Sequence, residues 1–205
     1  RPLPSADVTR SPGNDRLLCD FVLEQTLGHV THSQNLTRLI PQVDGIDATF
    51  VPVPFDVDGW AAKVPGFGNW TIRAGLRART ALDRTWRQRG RRPDVLFAHT
   101  QVPAVLLRRA MRAVPSVVSL DATPQQFDSL GEHYAHEVGH PLVERAKTTL
   151  NRQCFDRATR LVTWSEWTKQ SLIDSYHVDA DKITVIAPGV DCARWVRPAG
   201  APAGA

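Results

Sequence analysis

Residues 160–191 read RLVTWSEWTKQSLIDSYHVDADKITVIAPGVD. Two short apolar runs, 160–164 (RLVTW) and 182–187 (KITVIA), flank a segment of helical character over 165–176. Ser165 stands where an N-cap belongs, immediately before that segment. Pro188 and Gly189 stop the second run. A strand, a helix of about three turns and a second strand within some thirty residues make one parallel crossover unit.

The same alternation runs upstream. Residues 16–24 (RLLCDFVLE) form a strand, followed by a polar turn and a helix over 32–40. Residues 47–54 (DATFVPVP) form a second strand, whose prolines assign it to an edge or to an early end. After a loop broken by Pro65, Gly66 and Gly68, a helix covers 71–89 with an apolar stripe of Ile72, Leu76, Leu82 and Trp86. A strand at 94–99, a helix at 103–113 and a strand at 116–120 follow. A long polar loop then leads into a helix over 141–158. Several strands are short and almost uninterrupted in apolar character, as expected of strands buried on both faces. The pattern predicts an α/β fold, a Rossmann-like parallel sheet with helices on both faces, occupying residues 16–195. Residues 1–15, rich in Pro, Ser, Asp and Gly, are expected to be disordered, and the Pro/Ala/Gly segment 196–205 to be a flexible tail.

A chain of 205 residues with 42% hydrophobic content suits one domain with a sizeable core. No apolar run approaches the roughly 20 residues of a membrane span. The three cysteines, Cys19, Cys154 and Cys192, are scattered and odd in number, which favours a reducing, cytoplasmic setting over a disulfide framework. The net charge of +4 is carried almost wholly by arginine. Eight arginines (73, 77, 79, 84, 87, 89, 91 and 92) crowd one helical stretch. They read as a solvated helix face, or as a patch for anionic head groups or an anionic acceptor, giving peripheral contact with the inner face of a membrane. No nucleic-acid motif or aromatic platform accompanies them, so no nucleic-acid partner is expected.

Open parallel sheets bind ligands beyond the carboxyl ends of their strands. That rule selects Gly28, His29, His32 and Asn35 after the first strand, His99 after the third, Asp121 and Thr123 after the fourth, and Glu166 with Trp167 after the fifth. Gly28 would permit a sharp turn and close approach of backbone to a ligand. The helix behind it offers free N–H groups to a phosphate, and the histidines add donors whose charge varies near neutral pH. The plainer alternative is an ordinary loop with solvated histidines. His99 and Asp121 serve equally as an acid–base pair or as caps, and Glu166 as a ligand contact or as a charge complementing its helix dipole.

Several motifs in order resemble one family. Lys182-Ile183-x-Val185-Ile186-x-Pro188-Gly189-Val190-Asp191 resembles the end of the N-terminal domain in family-4 retaining glycosyltransferases. Residues 157–165 (RATRLVTWS) resemble that family's strand ending in serine, and Tyr176-His177-Val178 its Tyr-Gly-Val. Phe21-Val22-Leu23-Glu24 with Leu27-Gly28-His29 resembles its first strand and glycine loop. This chain departs from the family in having one Gly rather than a pair in that loop, and Asp121 where a His is common. The resemblance implies the acceptor-binding N-terminal half of a GT-B enzyme, in which a C-terminal half grips a nucleotide-sugar and transfer proceeds with retention. It implies no cofactor or metal beyond that co-substrate, a hinge at residues 188–191, and Gly28, His29, His32, His99, Asp121, Thr123 and Glu166 as substrate-binding positions. Because the sequence stops just after the signature, the donor-binding half is expected to be absent and the isolated chain nearly inactive.

Two other readings compete. His136-Glu137-Val138-Gly139-His140 matches the H-E-x-x-H pattern of zinc metalloproteases. Pro141 argues against it: a continuous helix there would lose an N–H and clash with the carbonyl of Glu137, whereas proline suits the first turn of a helix that begins at 141. The other is a non-catalytic acceptor-binding module that pairs with a separate donor-binding chain.

Overall fold

The computed structural model describes residues 16–26, 28–55, 70–129 and 141–189. Six parallel strands form one sheet in the order β2-β1-β3-β4-β5-β6: β1 Leu17–Gln25, β2 Ile46–Pro54, β3 Val95–His99, β4 Ser116–Leu120, β5 Arg160–Thr163 and β6 Ile183–Val185. The helices are α1 His29–Leu39, α2 Trp70–Arg89, α3 Gln101–Ala104, α4 Arg108–Ala113, α5 Pro124–Ser129, α6 Pro141–Arg157 and α7 Glu166–Tyr176. The predicted fold class is the observed one. The terminal segments 1–15 and 196–205 and the motif at 136–140 lie outside the described residues.

Alternation along β1 sorts the core. Cys19, Phe21 and Leu23 face α1 and the turn after it, where Leu36 and Ile40 meet them, and Phe21 packs against Phe50 of β2 and Phe97 of β3. Val22 belongs to the larger layer formed with α2, α3, α4, α6 and α7, which includes Ala74, Ala78, Leu82, Val105, Phe155 and Leu172. Strand β2 is the sheet edge and pairs with β1 along its whole length. Pro52 and Pro54 are two residues apart, so both missing N–H groups fall on one side of the strand, as an edge position allows.

Three details differ from the sequence reading. The stripe that α2 buries is made of small residues, Ala74, Gly75 and Ala78, with Leu82. A Cβ on Gly75 would come within 2.8 Å of Leu106, so the absent side chain sets how closely α2 meets the segment after α3. The helix expected over 103–113 is broken in two. Val105 and Leu107 are both buried while Leu106 packs on α2, and three consecutive apolar residues cannot all point inward from one continuous helix face. The arginine-rich stretch is also not a uniform solvated face: Arg73 is buried, and Arg89 forms an ion pair with the fully buried Asp20 at 2.7 Å. Arg79, Arg84, Arg87, Arg91 and Arg92 remain exposed. Among the described residues, no helix is long and apolar enough to cross a membrane.

Candidate active-site cleft

Strand order reverses between β1 and β3: the chain leaves β1 toward β2 on one side and later returns to β3 on the other. Loops diverge at such a switch point and leave a crevice above the strand ends. Sequence-distant side chains converge there. His29 opens α1 and His32 follows one turn later on the same face. His99 ends β3 and Trp164 follows β5.

The four rings pack together. His99 lies edge-on to His29 with centroids 5.0 Å apart, 4.7 Å from His32, and stacked on Trp164 at 5.8 Å and 10°. His32 is 4.7 Å from Trp164. The Trp164 indole donates to Ser119 Oγ at 3.0 Å, which fixes the ring against β4. His29 Nε2 faces the Asp121 carboxylate at 3.9 Å. The imidazole that Asp121 faces is therefore His29, not His99. Among the described residues, no set of three or more His, Cys, Asp and Glu groups is arranged to hold a metal ion.

The surroundings of His99 and His32 favour uncharged rings. Burial, and then the neighbouring His32 and His29, push His99 down to about 3. Burial also lowers His32, helped by His29 and opposed by Asp121. Among the described residues, nine buried side-chain N or O atoms have no hydrogen-bond partner, and five of them lie here: Thr26 Oγ1, His29 Nδ1, both His99 nitrogens and Gln101 Oε1. An unmet buried polar group costs about 1–3 kcal/mol, so such groups are normally paired. All five belong to residues at or just after the carboxyl ends of β1 and β3, which makes this end of the sheet the candidate site.

The other selected positions divide. Gly28 is exposed, with φ −61°, an ordinary helical value, and a Cβ there would meet open space. The expected sharp turn is therefore not what requires a glycine; clearance in front of α1 is what it supplies. Thr123 is fully buried. Its hydroxyl bonds Ser171 Oγ at 2.7 Å and accepts from Gln126 N–H, while Gln126 Oε1 accepts from Thr123 N–H. That reciprocal pair is a capping box for α5, so Thr123 anchors the segment behind Asp121. Glu166 is exposed in the first turn of α7, whose N-cap Ser165 accepts from Thr168 N–H as the sequence predicts. Trp167 beside it is 53% exposed.

Three contributors were not singled out from sequence. Buried Glu24 accepts from the Trp70 indole at 2.9 Å and from the Thr100 hydroxyl, tying β1 to α2 and to the turn after β3. Thr100 has φ 77°, a value costly for a β-branched residue and typical of backbone held under constraint near a site. Trp164 lies inside a quoted motif, but its partners are all remote in sequence.

A family model described as Glycosyltransferase Family 4 matches residues 28–194. Glycogen synthase from Mycobacterium tuberculosis (strains CDC 1551 / Oshkosh and H37Rv) is 31% identical over 144 residues, covering 68% of this chain and 31% of that protein. The chain thus spans about a third of the length of the curated relatives it matches. Among solved structures, a glycosyltransferase from Rickettsia africae ESF-5 superposes with a TM-score of 0.51 at 15% identity, over 90% of this chain and 47% of that one. A putative UDP-N-acetylglucosamine 2-epimerase from Listeria monocytogenes gives 0.50 at 9%, over 82% and 44%. At those identities the structural likeness speaks for the fold, a Rossmann-like domain corresponding to half of a GT-B molecule, and it gives the metalloprotease reading no support. The sequence match decides the rest: this chain belongs to glycosyltransferase family 4.

Proposed function

We propose that this chain supplies the acceptor side of a glycosyltransferase that moves a sugar from a nucleotide-sugar to an acceptor hydroxyl with retention of configuration. The observation that carries the reading is the cluster of His29, His32, His99 and Asp121 around five unpaired buried polar atoms at the β1/β3 switch point. Gly28 leaves room in front of α1 for the transferring sugar or its phosphates. Asp121 orients His29, and the pair is suited to bind and steer the incoming hydroxyl. His99 and Trp164 hold the two α1 imidazoles in place from behind. Glu166, exposed in the first turn of α7, would add an acceptor of hydroxyl hydrogen bonds, and residues 188–191, of which 190 and 191 lie outside the described residues, would serve as the hinge.

Positioning and electrostatic stabilisation of the departing phosphate need a donor-gripping domain opposite this cleft. A chain carrying only this half binds acceptor and transfers little. Free, buried Cys19 and Cys154 suit a reducing cytoplasm, with the five exposed arginines available for peripheral contact with an anionic membrane. The test pairs two assays on the 205-residue chain. Sugars should bind, with His29→Ala weakening them about tenfold, and transfer from a nucleotide-sugar should be undetectable. Efficient transfer by the chain alone contradicts the division of labour, and unchanged binding by His29→Ala removes the site assignment.

A further inference from the structure

The rim of the cleft carries groups whose chemistry narrows the acceptor. Asp121 is 44% exposed at its side chain, and its backbone oxygen accepts from the hydroxyl of Thr168, which is fully buried in the first turn of α7. That bond fixes the start of α7 to the mouth of the site. A second tie runs from Gln126 Nε2 to the Trp167 backbone oxygen at 2.9 Å. Trp167, 53% exposed, is therefore a large apolar ring carried on a fixed backbone, in a helix turn that also carries exposed Glu166 and is tied to the Asp121 backbone. An indole is among the most expensive side chains to leave in water, and an exposed one on a fixed backbone is well suited to stacking.

We propose that Trp167, Asp121 and Glu166 form an outer subsite for an uncharged sugar ring, so that the acceptor is a neutral carbohydrate rather than a phosphorylated one. A pyranose offers an apolar C–H face to an indole and an edge of hydroxyl donors to carboxylates, which only accept. A phosphate or carboxylate at the same rim meets two negative charges. His32 and His99 give it little compensation, because burial favours their neutral forms. The inference rests on the acceptor-binding reading above and specifies its ligand.

The test is calorimetric titration of the 205-residue chain with maltotriose as the neutral probe and glucose 6-phosphate as the anionic one, at low salt. Maltotriose should bind tighter. Trp167→Ala should weaken it about tenfold, with Trp167→Phe restoring most of the loss. Asp121→Asn with Glu166→Gln should narrow the preference over glucose 6-phosphate. Equal or tighter binding of the phosphate, or indifference of maltotriose to Trp167→Ala, overturns the subsite while leaving the acceptor reading standing. If neither sugar binds, both readings fall.

Discussion

Asp20 and His99 are both buried polar groups on neighbouring strands of one sheet, and the protein treats them in opposite ways. Asp20 is fully buried and saturated. It accepts from the Trp86 indole at 2.7 Å and from two Arg89 nitrogens at 2.7 and 2.8 Å, so the C-terminal end of α2 is clamped to β1. His99 is equally buried, yet neither of its ring nitrogens has a protein partner. A buried charge endures only when paired and hydrogen-bonded. The first region meets that condition from within and is structural. The second leaves its polar atoms without a protein partner, which is the feature the proposed site rests on. Two ends of the same sheet thus separate what holds the fold from what the fold holds.

The largest expected effect breaks the satisfied region. Arg89→Ala leaves Asp20 uncompensated and should cost about 3–5 kcal/mol in urea unfolding, without altering sugar affinity in the protein that remains folded. Next comes the unsatisfied region. The folded-state pKa of His99 is depressed to about 3, well below the ordinary value of 6.5. The unfolded chain therefore binds a proton that the native state refuses. The stabilising contribution is complete above about pH 6.5 and is lost as pH falls toward 3, with a slope near 1.4 kcal/mol per pH unit. His99→Gln should remove that slope from the difference between the two unfolding curves, and an unchanged slope would show that His99 is not held neutral.

A smaller effect lies outside both regions and calibrates them. His177 closes α7 at φ 56°, the left-handed position where Tyr-Gly-Val places glycine in the family. His177→Gly should therefore stabilise by about 1 kcal/mol, read as a raised thermal midpoint. Gly28→Ala has the smallest expected effect on stability, within about 0.5 kcal/mol, because its backbone is already helical. It should nonetheless weaken sugar binding, since the new methyl group projects into the clearance in front of α1.

The fold was legible because its signals are local. The Ser165 cap, Pro141 at a helix start, the apolar run at 116–120 and the edge prolines of β2 each act within a few residues. The capping box of Thr123 and Gln126 was equally local and was missed, and it gives Thr123 a role in starting α5 that the sequence reading did not assign. The cleft was half legible. The strand-end rule selected His29, His32, His99 and Asp121, and the structure brings them together, with Asp121 facing His29 rather than His99. Trp164 packing on three histidines from two other segments, and Glu24 reaching Trp70 and Thr100, depend on contacts across 46 to 76 residues or more, which no local pattern encodes.

The central claim is that ligands are met at the unsatisfied end of the sheet and nowhere near the satisfied one. It is tested most directly by following the histidine ring and tryptophan indole signals in NMR while titrating the chain with maltotriose and with glucose 6-phosphate. The account predicts that His29, His32 and His99 shift with at least one sugar while the Trp86 indole, bonded to Asp20, stays still. Histidine signals that ignore both sugars, or a response centred on Trp86, would contradict it.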